Sequence, residues 1–238
     1  MRQSRLPNLG SMSASTHSGL ILQHEANGPA GHLADWLGER GLRWSTREVW
    51  AQGAPADLGE WAWICSLGSE HTPGRPDSPA WVDAEVNFLC RALAAGVPVL
   101  GLCFGGQALA AAAGAAIRPA EPAEVGWITL ETRDPARIPS GPWLHFHYDQ
   151  LELPEGATEL ARSPAGTAAF SLGPSLGLQF HPEVTAEIAD GWARAEGATL
   201  RRLGISADDL AKEAERSGEG ARRDAWHLFD AWWGSLGH

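Results

Sequence analysis

A chain of 238 residues is long enough to bury a sizeable core without disulfides or structural metal, and one domain over residues 18–238 is expected. Its formal charge of −11, from 18 Lys and Arg against 29 Asp and Glu, opposes the phosphate backbone that nucleic-acid binders neutralise, so no nucleic-acid partner is expected. Three cysteines, at positions 65, 90 and 103, make neither a disulfide framework nor a CxxC pair, and no run of about 18 apolar residues occurs, which fits a cytoplasmic chain without membrane contact.

Residues 1–17 are small, polar and aperiodic and read as a disordered lead-in, with Met12 as a second candidate start. Short apolar runs then alternate with helical spacing: a strand at 20–23, a helix from Ala30 to Arg40, and strands at 43–50 and 61–67. The breaker-rich stretch 68–79 is a loop, and residues 80–96 are a helix closed by Gly96. Along that helix Trp81, Val82, Val86, Leu89, Cys90 and Leu93 fall at helical spacing, which places Cys90 in the core.

VPVLGL at 97–102 is a nearly continuous apolar run, the mark of a central parallel strand covered on both faces. Between Ile117 and Phe180 the pattern shortens into segments with turn residues, expected to be hairpins and partly antiparallel. Helix returns at 185–197 and from Ser206 to about Trp233. The alternation predicts an α/β fold, an open, mostly parallel, flavodoxin-like sheet flanked by helices, with a few antiparallel strands between 117 and 180 and ligands at the carboxyl ends of its strands. Twelve tryptophans against one tyrosine are scattered, so they read as packing rather than a binding platform.

The stretch GVPVLGLCFGGQALAAAAG carries Cys103 between the central strand and an alanine-rich helix. Two readings compete: a small buried core residue with glycines for helix packing, or a nucleophile on a tight strand-to-helix turn, where small residues two before and two after prevent clashes. In the second reading the sulfur stands above the sheet at a helix amino terminus, a position that favours thiolate, with the Phe104 backbone N–H beside the developing oxyanion. A nucleophilic cysteine needs a base. LGLQFHPEVT places His181 at the end of an apolar segment, with Glu183 two residues on, where it can hold the imidazole and stabilise its charged form.

Taken together, the cysteine turn, the intervening strands, QFHPE and the terminal helices resemble the class I (triad) glutamine amidotransferases from about Leu20 onward. EVGW at 124–127 and HFHYDQLELPEGA at 145–157 are similar to segments of stand-alone members related to the amidotransferase domain of GMP synthetase. The resemblance implies Cys103 as nucleophile, His181 as general acid and base, and Glu183 as the residue that orients it. It further implies Gln107 as a contact to bound glutamine, and backbone N–H groups of Gly68 or Ser69 and of Phe104 as oxyanion donors. The loop here reads SLGSEHTPG, which departs from the Gly-Gly-Pro setting common in such enzymes.

The implied reaction is hydrolysis of the glutamine side-chain amide through a γ-glutamyl thioester on Cys103, with ammonia passed to a separate synthetase subunit. No cofactor is implied. The same residues could instead hydrolyse a γ-glutamyl peptide or metabolite, and a catalytically degenerate glutamine-binding regulatory module is a third reading, although such a module has no chemical need of Cys, His and Glu together. His145 and His147 would share one face of a strand, but no acidic or cysteine ligand stands at metal-like spacing, so no metal site is expected. His147 is expected at the rim of the substrate site, His145 in the core, and Cys65 likewise in the core.

Overall fold

The structure is a computed structural model and describes residues 18–237, so the expected lead-in at 1–17 and its Met12 lie outside the described residues. Strand β1 (Ser18–Gln23) leads to helix α1 (Gly31–Glu39), β2 (Arg43–Glu48), a short α2 (Val49–Gln52) and β3 (Trp63–Ser66). Helix α3 (Ala80–Ala94), β4 (Val99–Leu102) and α4 (Phe104–Ala112) complete the first half. Strands β5 (Ile117–Ile128), β6 (Glu131–Thr132), β7 (Trp143–Leu151), β8 (Thr158–Ser163), β9 (Gly166–Leu172) and β10 (Ser175–Leu178) follow, then α5 (Ala186–Ala195), α6 (Gly197–Arg202) and α7 (Ala207–Gly234).

One eight-stranded sheet runs in the order β2-β1-β3-β4-β10-β9-β8-β6. Its first five strands pair in parallel, and β10, β9, β8 and β6 pair antiparallel. The mostly parallel α/β sheet read from the sequence is therefore present, with its antiparallel strands in the expected interval. Two of those strands do something the turn signals do not reveal: β5 and β7 leave the main sheet and form a ribbon of their own.

Both faces of the parallel half are covered, as the continuous apolar runs of β3 and β4 require. On one face α1 and α7 bring Trp36, Phe229 and Trp232 against Trp63 of β3. Trp63 and Trp232 meet edge to face at 6.4 Å, and the Trp232 indole N–H donates to the Pro174 carbonyl at 3.2 Å, so the polar edge of a buried ring is satisfied. On the other face α3 and α4 pack Val82, Phe88, Leu89, Phe104 and Leu109.

Cys90 is not in that core. The buried stripe of α3 is Val82, Glu85, Phe88, Leu89 and Ala92, and Cys90 is turned out to solvent. An apolar count misreads the helix because one of its most deeply buried positions is a carboxylate, Glu85. Cys65, in β3, is fully buried. The helix at the carboxyl end also differs from the expected pair: α6 is an additional turn-and-a-half between α5 and α7, opened by Gly197 without a side-chain cap. α5 and α7 have such caps, with Thr185 Oγ1 accepting from the Ile188 N–H and Ser206 Oγ from the Asp209 N–H.

Candidate active site

The parallel strands β1, β3, β4 and β10 all point their carboxyl ends at one cavity of about 560 Å³. Gly68 and Ser69 follow β3, Cys103 follows β4, and His181 and Glu183 follow β10; all five line it. This is where open α/β sheets collect ligands, because strand ends and helix starts leave backbone groups unpaired there.

Cys103 turns the chain between β4 and α4 with φ 51° and ψ −104°, and among the described residues it is the non-glycine with positive φ. Such a conformation costs about 1–3 kcal/mol and persists only where the surroundings over-determine it. They do so here. The Cys103 N–H donates to Leu178 O at 2.9 Å, Gly105 N–H to Leu67 O at 3.0 Å, and Gln107 N–H to Cys103 O at 3.0 Å. A Cβ on Gly101 would lie 2.3 Å from Gly105 O, and one on Gly105 would lie 2.0 Å from Ser66 O, so both positions admit only glycine. Three strands thus clasp the turn, and Phe104 begins the helix that follows it.

His181 is fastened from two sides. Its N–H donates to Leu144 O at 2.9 Å in an isolated bridge to β7, and its Nδ1 stands 2.8 Å from Glu183 Oε1. Glu183 is held in turn, its carbonyl accepting from the His32 N–H at 2.8 Å, while its Oε2 is buried without a hydrogen-bond partner. The carboxylate therefore directs its charge at a single imidazole. Burial acts to lower the His181 pKa, but the adjoining Cys103 and Glu183 charges outweigh it, aided by hydrogen bonds to both side chains, and push it up to about 10. The imidazole is thereby held in its charged form beside the Cys103 side chain. Trp192 of α5 closes over the ring, edge on, at 4.8 Å.

The other residues singled out from the sequence occupy the same cavity in different ways. Gln107 lines it, yet its Nε2 donates to Asp149 O at 2.9 Å and approaches Gln179 Oε1 at 3.4 Å, so its amide is already engaged with the protein. His147 also lines the cavity, with Nδ1 donating to Asp149 O at 3.1 Å and Nε2 3.0 Å from Glu124 Oε2. An added Cβ at Gly68 would sit 2.8 Å from His181 Cε1, which explains the glycine at the loop's first position. The rest of the loop is pinned by Thr72 Oγ1 donating to Asp149 Oδ2 at 2.7 Å and by an Arg75–Asp149 ion pair.

No acidic metal ligand is expected beside His145 and His147 from the sequence, but the tertiary structure supplies a carboxylate. Antiparallel pairing of β5 with β7 sets Glu124 opposite His147, and Glu124 Oε2 lies 3.1 Å from His145 Nδ1. Among the described residues this group of three could hold a metal ion. Its atoms stand 3.0–3.2 Å apart, hydrogen-bond distances, whereas ligands about 2.0–2.1 Å from one tetrahedral ion lie a little farther from each other. Burial opposes ionisation of Glu124, yet hydrogen bonds from His145, His147 and the Ala165 N–H hold its carboxyl well below the usual carboxylate range. Burial also lowers the His145 pKa, only partly offset by Glu124. The trio ties the β5–β7 ribbon together behind the cavity.

Sequence reasoning missed the far wall. Trp192, Glu196, Thr199 and Arg202 reach the cavity from α5 and α6, and α6 has no strong apolar period to betray it. Gln179, whose Nε2 lies 3.8 Å from Cys103 Sγ, stands inside the LGLQFHPEVT stretch and was within reach by its position two before His181.

A model of the family described as glutamine amidotransferase class-I matches residues 72–191. GMP synthase (glutamine-hydrolyzing) of Thermomicrobium roseum is 37% identical over 123 residues, covering 49% of this chain and 21% of that protein. The Aeropyrum pernix protein of the same name is 34% identical over 138 residues, covering 52% of this chain and 27% of its own length. This chain thus spans about a fifth to a quarter of the curated relatives it matches. Among solved structures, a glutamine amidotransferase from Thermotoga maritima superimposes with TM-score 0.82 at 24% identity, covering 91% of this chain and 98% of that one. One from Methylobacillus flagellatus gives TM-score 0.84 at 22% identity, covering 93% and 96%. At such identities the structures speak for the fold, and the family follows from the sequence match across half the residues: the chain belongs to the class-I glutamine amidotransferases.

Proposed function

We propose that the protein hydrolyses the side-chain amide of glutamine, with Cys103 as nucleophile, His181 as general acid and base, and Glu183 as the residue that orients and charges the imidazole. The observation that carries this reading is the strained Cys103 turn set beside a His181 whose pKa is pushed up to about 10. The thiolate attacks the amide carbon, and backbone N–H groups at Phe104 and in the Gly68–Ser69 segment receive the oxyanion. The C–N bond then breaks, His181 giving its proton to the departing ammonia and leaving a γ-glutamyl thioester on Cys103. Water attacks that thioester, His181 takes its proton, and glutamate leaves as the thiolate is restored.

The Thermomicrobium roseum protein matched over 21% of its length is a glutamine-hydrolyzing GMP synthase, which supports a synthetase as the receiver of ammonia. No helix of the described residues is long and apolar enough to cross a membrane. The cavity volume of about 560 Å³ favours a second reading, hydrolysis of a larger γ-glutamyl compound by the same three residues. Purified protein incubated with glutamine should release glutamate, and Cys103→Ala should reduce the rate by at least about 10⁴-fold, as loss of a nucleophile does in other hydrolases. Equal glutamate release by both proteins would remove Cys103 from the chemistry. Release from γ-glutamyl peptides alone would move the assignment to the second reading.

A further inference from the structure

Directly behind the cavity lies a buried pair with no part in the reaction steps above. His24 follows β1, and its Nε2 stands 2.8 Å from Glu85 Oε2 of α3, with both side chains fully buried. Ser66 Oγ donates to Glu85 Oε1 at 2.7 Å. The ring is stacked on Trp81 at 5.2 Å and meets Phe104 at 4.7 Å. Its remaining nitrogen, Nδ1, is 3.1 Å from Gly68 O. A buried ion pair rarely stabilises a core better than apolar side chains of the same size. It does impose an orientation.

That orientation can be read from the protons. A carbonyl oxygen only accepts, so His24 Nδ1 carries the hydrogen that meets Gly68 O. Nε2 is engaged by Glu85 Oε2, and Ser66 takes the remaining carboxylate oxygen. The ring can then neither flip nor rotate without losing partners. In a trans peptide the C=O and the following N–H point in opposite directions. Gly68 and Ser69 line the cavity and His24 does not, so a Gly68 carbonyl drawn toward His24 turns the Ser69 N–H toward the cavity.

We propose that His24, held by Glu85, is a positioning residue that locks the Gly68–Ser69 peptide so that the Ser69 N–H, rather than that of Gly68, is the loop's oxyanion donor. The inference rests on the amide-hydrolase reading for its catalytic consequence, though not for its geometry. It also accounts for a loop that lacks the Gly-Gly-Pro sequence: the peptide is held from behind by a side chain instead of by a rigid proline.

Two substitutions of similar polarity separate this role from general packing. His24→Asn places an amide N–H near the position of Nδ1 and keeps the hold on Gly68 while losing Glu85. His24→Gln reaches toward Glu85 and releases Gly68. In a glutamate-release assay His24→Asn should keep kcat within about fivefold of the unaltered protein, whereas His24→Gln should lose about 10²–10³ in kcat, the usual effect of removing one oxyanion donor, with KM changed less than about threefold. Alkylation of Cys103 by iodoacetamide, which needs the thiolate but no oxyanion site, should proceed at the same rate in all three. Equal losses in the two variants, or loss of kcat and alkylation together, would overturn the proposal. Crystal structures of the two variants read the geometry without any activity: the Gly68–Ser69 peptide should stay in place in His24→Asn and rotate in His24→Gln. A peptide unmoved in His24→Gln refutes the positioning role even if no substrate is turned over, while a rotated peptide in an inactive protein upholds it and counts only against the amide-hydrolase reading.

Discussion

The two sides of this sheet are built on opposite terms. At the carboxyl ends of β3, β4 and β10 the chain accepts a positive φ at Cys103, buried carboxylates at Glu85 and Glu183, and backbone contacts so close that only glycine fits. On the face under α1 and α7 aromatic packing dominates: Trp36, Trp63, Phe229 and Trp232 fill space, the Trp36 and Trp232 indole N–H groups donate to Asp230 Oδ1 and Pro174 O, and that of Trp63 is buried without a partner. The first region accepts backbone strain and buried charge around Cys103 and His181, and the second supplies apolar packing. Strain is affordable at the turn because it is surrounded by well-packed structure on every side.

Four expectations would break or sharpen that contrast. The largest concerns activity: Cys103→Ala should abolish glutamate release, as stated above, and leave the urea midpoint almost unchanged when measured near pH 10, where the His181 proton no longer contributes. A large drop in that midpoint would mean the cysteine is part of the packing. Next, Trp232→Ala should lower stability by about 3–5 kcal/mol in urea or thermal unfolding while kcat of the folded protein stays within about twofold, because the cavity it leaves lies on the face away from the cleft. A comparable loss of kcat would show that the two regions are coupled.

The third expectation is a pH dependence. His181 binds its proton more tightly folded, at about 10, than its ordinary 6.5, through the Cys103 and Glu183 charges that overcome burial. The stability this contributes is complete below about pH 6.5 and is lost as pH rises toward 10. Denaturation midpoints measured across that window should fall in the unaltered protein and in Trp232→Ala, and fall less in Cys103→Ala, where the main charge holding the proton is gone. The smallest effect on stability is that of Cys103→Gly, which relieves the positive φ and should raise stability by about 1 kcal/mol near pH 10, where the His181 proton no longer contributes, while removing activity entirely.

How much of this was legible beforehand depended on sequence distance. The strand ending at Leu102, the turn at Cys103 and the helix after it are one local unit, and the glycines at 101 and 105 advertise the tight turn. The His181–Glu183 pair is equally local, two residues apart. Glu124, by contrast, meets His145 and His147 only through the register of β5 on β7, and an acidic neighbour was therefore not foreseen. Cys90 was misplaced and Glu85 overlooked for one reason: a helical stripe was read by apolarity, and a buried carboxylate breaks the stripe while its partner His24 lies 61 residues away in sequence. The lining contributed by α5 and α6 escaped because a short, weakly periodic helix gives no sign of what it covers.

The sequence by itself determined the alternation of strand and helix, the parallel core and the two chemical turns at Cys103 and His181. These depend on side-chain period and on sterics within a few residues, which the chain carries wherever it folds. Only the tertiary structure decided that both turns open on one cavity, that Glu85 and His24 stand behind Gly68, and that Glu124 joins two histidines on a ribbon outside the main sheet. Each of those facts is a distance between segments far apart in the chain, set by strand order and register, and no local pattern encodes it.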